Sequence, residues 1–156
     1  MIQRIQSVYL LLSIIALGLT FFFPLMAYYG ELHTYQFNII EMQNLVPSTI
    51  SVFKSFFTLP LLTVLGIILL LSILIIFKYK NRKLQLQLTR INMLLNLILI
   101  IAIFFGYSRY IQSVIDVEEQ FKTAAFFPLI SLVFLVLAYR GIKKDDDLIR
   151  SADRLR

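Results

Sequence analysis

The chain contains no cysteine, which excludes disulfides, thiolate catalysis, Cys-ligated zinc and iron–sulfur clusters. A single histidine, His33, leaves a multi-histidine metal or haem site without ligands. Deep within the apolar segments there is no Asp, Glu, Lys, Arg or His, the groups that proton relays, ion-coupled transporters and voltage sensors place at membrane depth. Also missing are a nucleotide-binding glycine loop, an HExxH pair and a Ser/His/Asp set. These absences predict a protein that is not an enzyme and carries no cofactor or metal.

What the chain has in excess is apolar surface. Of its 156 residues 59% are hydrophobic, well above the soluble norm of roughly 45–50%. Four segments, Ser7–Tyr28, Phe56–Phe77, Ile91–Tyr110 and Ala124–Tyr139, are long enough or nearly so to cross a hydrocarbon core of ~30 Å. The predicted fold is therefore all-α, a four-helix transmembrane bundle forming a single membrane domain over residues 1–156. The net charge of +6 reflects position rather than nucleic-acid binding. With both termini inside, twelve of the fifteen Lys/Arg lie on the cytoplasmic side and only Lys54, Arg109 and Lys122 lie outside, as the positive-inside bias requires. No basic stripe comes with an aromatic platform for bases, so no nucleic-acid partner is expected. The first apolar run exceeds a signal-peptide core and no small-residue cleavage site follows it, which predicts an uncleaved signal-anchor.

Several local features follow from spacing. Ser13, Ala16 and Thr20 put small residues on one face of the first span, with Tyr9 a turn earlier, and Thr63 and Gly66 make a second small face in span 2. Pro24 is placed to kink or end span 1, and Leu59-Pro60 to begin span 2. In the first outside loop, the alternation Leu32–Ile39 predicts a small β-hairpin with Tyr28–Glu31 as its turn. A short interfacial helix starting at Pro47-Ser48-Thr49 is expected after it. Leu84–Leu88 alternates like a strand but reads as a helical lead-in to span 3, having no partner strand. The second outside loop, Gln112–Thr123, reads as a solvated acidic loop, where Arg109 snorkels or pairs with Asp116, Glu118 or Glu119. Three carboxylates without an EF-hand pattern are a weak calcium signature. Span 4 is expected to extend back through Phe121 and Lys122, to turn Pro128, Ser131, Leu135 and Ala138 inward, and to end at Gly141.

Two places stand out as candidate sites. Asn92 and Asn96, at i and i+4 on one face of span 3, are either interhelical hydrogen-bonding groups or the polar part of a lipid pocket. The tail beyond Gly141 has Asp145-Asp146-Asp147 before Arg150, Arg154 and Arg156, a charge order that complements a helix dipole. It predicts a short amphipathic C-terminal helix that contacts either the membrane surface or a partner.

The terminal stretches Met1–Leu12 (MIQRIQSVYLLL) and Ile149–Arg156 (IRSADRLR) resemble the ends of an uncharacterised four-span membrane-protein family of Bacteroidota. The resemblance implies a bacterial inner membrane and supplies no catalytic residue. The functional expectation is an accessory or structural subunit of a larger membrane complex, its partners being the lipid bilayer and other membrane subunits or copies of itself. The alternative is a lipid or small-hydrophobe binding or transport protein with a pocket between the helices.

Overall fold

The computed structural model describes residues 5–30, 34–45, 56–79 and 81–154. Among the described residues there are five α-helices: α1 (Ile5–Leu19), α2 (Leu59–Phe77), α3 (Arg82–Ile101), α4 (Ser108–Ile115) and α5 (Phe127–Arg154). A π-helical segment, Ala102–Tyr107, joins α3 to α4, so Arg82–Ile115 is one rod of 34 residues. Among the described residues three helical rods, Leu59–Phe77, Arg82–Ile115 and Thr123–Leu148, are long and apolar enough to cross a membrane. Pro60 stands in the first turn of α2, where its missing N–H costs no hydrogen bond. Asn81 caps α3 by accepting from the Leu84 N–H at 3.2 Å. The alternating Leu84–Leu88 stretch is accordingly helical.

α1 is shorter than the span expected over Ser7–Tyr28. Its 15 residues rise only about 22 Å, less than a bilayer core. Three tight turns close it, with the N–H groups of Thr20, Phe21 and Phe22 bonding three residues back, and the Thr20 hydroxyl donates to the Leu17 carbonyl at 2.5 Å. Pro24 then bars further helix, because its ring clashes with a helical residue before it. The apolar residues Leu25 to Tyr28 are buried, Met26, Ala27 and Tyr28 within a sheet, and do not continue the helix.

That sheet has four antiparallel strands: β1 (Met26–Tyr29), β2 (Thr34–Phe37), β3 (Met42–Asn44) and β4 (Glu119–Phe121), in the order β3-β2-β1-β4. A hairpin is present, but Tyr28 and Tyr29 are not in its turn as expected: they belong to β1, which pairs with β2, Tyr28 opposite Tyr35 and Met26 opposite Phe37. These four side chains share one pleat face and are buried. β4 corrects the reading of Gln112–Thr123 as a purely solvated loop: Glu119–Phe121 pairs with β1, and the Lys122 N–H donates to the Leu25 carbonyl at 2.9 Å. Phe121 and Lys122 therefore do not belong to the last helical rod, which begins with a 3-10 turn at Thr123. The interfacial helix expected at Pro47-Ser48-Thr49 lies outside the described residues.

α5 also departs from expectation, because it does not stop at Gly141. It runs on to Arg154, and no described glycine adopts a positive φ. An interior glycine costs a helix about 1 kcal/mol and ends it only when a left-handed cap forms. Here Gly141 lies inside the helix and faces α1, where a Cβ would come to 3.4 Å from the Gln6 Cβ. The tail helix is thus the end of α5 and not a separate element.

α1 packs on α5 and α2, while α3 packs on α2 and α5, closing a ring. The sheet joins the α1–α2 and α4–α5 connections at one end. At the other end Gln6, Arg82 and Asp145 meet, so the first residues of α1 and the charged part of α5 lie beside the α2–α3 turn. Ser13, Ala16 and Thr20 are buried, as are Pro128, Ser131, Leu135 and Ala138, and the inward stripe of α5 continues through Ile142. The second small face does not act as a packing face: Thr63 is exposed and Gly66 has open space where a Cβ would stand. α2 instead turns Leu61, Leu65, Ile68, Ser72 and Ile75 inward.

Candidate functional site

The buried face of α3 follows a 4-3-4-3-4 spacing through Gln85, Thr89, Asn92, Asn96, Leu99 and Ile103, which is the seam of a helix packed in a bundle. Its first four residues are polar. Asn92 Nδ2 donates to Ser72 Oγ of α2 at 2.7 Å, and Ser72 donates in turn to the Ile68 carbonyl at 2.9 Å. One turn on, Asn96 Nδ2 donates to Ser131 Oγ of α5 at 3.0 Å, and Ser131 Oγ shares a hydrogen bond of 2.7 Å with Ser13 Oγ of α1. Asn92 and Asn96 therefore join α3 to two different neighbours, and through Ser131 the link reaches the fourth helix.

The polar line extends to the turn end. Gln85 Nε2 donates to the Ile75 carbonyl at 3.1 Å, and the Thr89 hydroxyl to the Gln85 carbonyl at 2.7 Å. Gln6 Nε2 reaches Asp145 Oδ2 at 3.2 Å, while Arg82 Nη1 donates to the Asp145 backbone carbonyl at 2.7 Å. Four buried amide oxygens, those of Gln6, Gln85, Asn92 and Asn96, receive no hydrogen bond among the described residues. Gln85 and Thr89 were missed as candidates from sequence because they precede the apolar run. Continuing the Asn92–Asn96 spacing backwards by one heptad finds both. Ser72 and Asp145 carry no such signal.

The sheet end is built differently. The π-segment adds one residue to the turn, so the buried positions pass from Ile103 to Ser108 and Ile111 rather than to Tyr107 and Tyr110. This aims the Ser108 hydroxyl at Glu119 Oε1, to which it donates at 2.9 Å. Glu119 is thus engaged by Ser108, and Arg109 is exposed. Tyr107 stacks on Phe37 at 5.5 Å between ring centroids and meets Phe57 edge-on at 5.0 Å, and its hydroxyl donates to the Phe57 carbonyl at 3.1 Å. The Tyr28 hydroxyl donates to Met26 Sδ at 3.3 Å. Burial, then the neighbouring Glu119 charge, holds the Tyr28 phenol well above the ordinary tyrosine range. A left-handed Asp116 (φ 50°) ends α4. Among the described residues no three His, Cys, Asp or Glu side chains gather to hold a metal ion, the acidic loop included.

Of the predicted tail residues, Arg150 and Arg154 lie in α5, and Arg156 lies outside the described residues. Leu148 is exposed, and Asp146 is buried.

A family profile described as a domain of unknown function (DUF4293) matches residues 2–155, and the chain belongs to that family. Neither a search of curated proteins nor a search of solved structures found a match.

Proposed function

We propose that this member of the family is a non-enzymatic integral membrane protein that serves as an accessory or structural subunit of a larger membrane complex. On this reading it resides in the bacterial inner membrane with both termini cytoplasmic. The three long apolar rods and the cytoplasmic bias of Lys/Arg support the location. The observation that carries the functional reading is the unbroken α5. Its apolar stretch passes directly into a charged helix bearing exposed Arg140, Lys143 and Lys144, and Asp145 ties that helix to α1 and α3. A rigid charged extension of this kind suits docking better than a loose tail, because little conformational freedom is lost on binding. Gentle solubilisation of the tagged chain should co-purify a partner in near-stoichiometric yield, and deletion of Asp147–Arg156 should lower that yield while membrane insertion persists. A partner-free monomer across several mild detergents is the result that overturns it.

A second reading, a carrier for lipid or a small hydrophobe with its pocket beside Asn92 and Asn96, draws support from the two amide oxygens there that lack a donor. An Asn92→Leu/Asn96→Leu variant that stays folded and loses a co-purifying lipid supports it; one that unfolds assigns the amides to bundle assembly.

A further inference from the structure

On the outside of the bundle, α3 and α5 enclose an open apolar groove of about 400 Å³. It is lined by Met93, Leu94, Leu97, Leu132 and Val136, with Arg90 at one end. The lining follows two helical stripes, residues 90, 93, 94 and 97 on α3 and residues 132 and 136 on α5, the latter continued outward by Tyr139. From Arg90 to Leu97 the groove runs about 10 Å along the helix axis. This face is opposite in character to the buried polar seam of α3 and is a different place from the Asn92–Asn96 pair.

The mouth of the groove is organised. Arg90 Nε and Nη2 both donate to the Tyr139 hydroxyl, at 2.9 and 2.7 Å, and the guanidinium carbon lies 5.4 Å from the Tyr139 ring centroid. Two of the five guanidinium donors hold the group in place, which leaves three N–H groups for a ligand. Among the described residues Arg90 has no carboxylate partner. Arg90 is the last charge before the apolar run of α3, and Tyr139 the last residue before Arg140, so both stand at the border between apolar and charged helix. Beyond that border the same stripes continue as exposed Lys83, seven residues before Arg90, and exposed Lys143, four after Tyr139, with Asp147 one turn farther out.

We propose that this groove binds an anionic phospholipid, one acyl chain lying along Leu94, Leu97, Leu132 and Val136 and the phosphate held by Arg90, with Lys143 adding positive charge. The inference rests on the membrane placement proposed above. A fixed planar guanidinium matches phosphate oxygens bidentately, and its entropy cost is already met by the Tyr139 contact. An anionic headgroup is selected over a zwitterionic one because choline would bring a second cation to a mouth that is already positive.

The test uses the full chain in mild detergent, with phosphatidylglycerol and phosphatidylcholine of identical acyl chains added separately, thermal unfolding followed, and retained lipid counted by native mass spectrometry. Phosphatidylglycerol is expected to raise the unfolding midpoint more than phosphatidylcholine and to remain bound. Arg90→Gln, a change at an exposed site, should weaken its retention about tenfold, in keeping with loss of a charge-assisted hydrogen bond. Leu97→Trp, which fills the groove, should reduce retention of both lipids. Equal effects of the two lipids, an unchanged preference in Arg90→Gln, or reproduction of the shift by soluble glycerol phosphate overturns the proposal. Recovery of the chain in the soluble fraction without detergent would instead overturn the membrane reading beneath it.

Discussion

The two ends of this bundle hold together by different means. Toward the α2–α3 turn, the interior of the described residues is a line of amides and hydroxyls beside a small buried apolar cluster of Leu10, Ile75, Leu135 and Ala138. Toward the sheet, the interior is a large apolar and aromatic cluster running from Leu17, Leu65 and Leu99 through Phe37, Tyr28 and Tyr35 to Ile111. The difference accords with the solvent each region would meet on the membrane reading. Between lipid-embedded helices apolar contact brings no hydrophobic gain, so close small-residue packing and hydrogen bonds select the neighbours. Where the chain emerges into water, burial of aromatic surface regains its force.

Four measurements would sharpen or break this contrast. Phe37→Ala removes a fully buried ring from the stack with Tyr107 and Phe57 and should cost about 3–5 kcal/mol of unfolding free energy, read by thermal or denaturant unfolding of the purified chain. A loss under about 1 kcal/mol would mean that the sheet end is not anchored by burial. Ser131→Ala removes only the hydroxyl, stripping a partner from both Asn96 and Ser13, and should cost about 1–3 kcal/mol. Combined with Asn96→Leu, the loss should be smaller than the sum of the two single changes, because the amide no longer needs that partner; strict additivity would dissolve the proposed polar link. Ser108→Ala, which breaks only the bond to Glu119, should cost about 1 kcal/mol and loosen hydrogen exchange in β4 more than in β2.

A further prediction concerns pH. The folded Tyr28 pKa is raised, so the native state keeps a proton that the unfolded chain releases above about pH 10. The associated stability is fully present below that pH and is lost as pH rises beyond it. Tyr28→Phe should remove this part of the alkaline destabilisation, and tyrosinate absorbance should show one fewer late-ionising phenol. Identical alkaline profiles for the two proteins would place Tyr28 in contact with water.

Legibility in the sequence varied with the range of the interaction. The helical period put Asn92 and Asn96 on one face, and the inward stripe from Pro128 to Ala138 is equally readable, because both depend only on a rise and rotation common to all α-helices. Which serine each amide meets was not legible, since Ser13, Ser72 and Ser131 come from three other helices whose rotation is set by packing. The apolar run through Leu25–Tyr28 misled for a related reason: burial in a sheet and contact with lipid favour the same residues. Gly141 misled because a glycine ends a helix only through a left-handed cap, whereas here it keeps a negative φ inside a continuous helix.

By itself, then, the sequence determined what local chemistry controls: the long apolar helices, the start of α2 at its proline, the helical lead-in to α3, the extended β2 stretch and the clustering of basic residues at one end. The tertiary structure alone decided that Glu119–Phe121 completes the sheet, that a π-turn shifts the face of α3 onto Ser108, and that α5 passes through Gly141 into its charged extension. Each of these depends on a partner distant in sequence. Residue 119 becomes a strand only where β1 offers free backbone groups, and a helix accepts an extra residue only where the packing it gains outweighs the irregular turn.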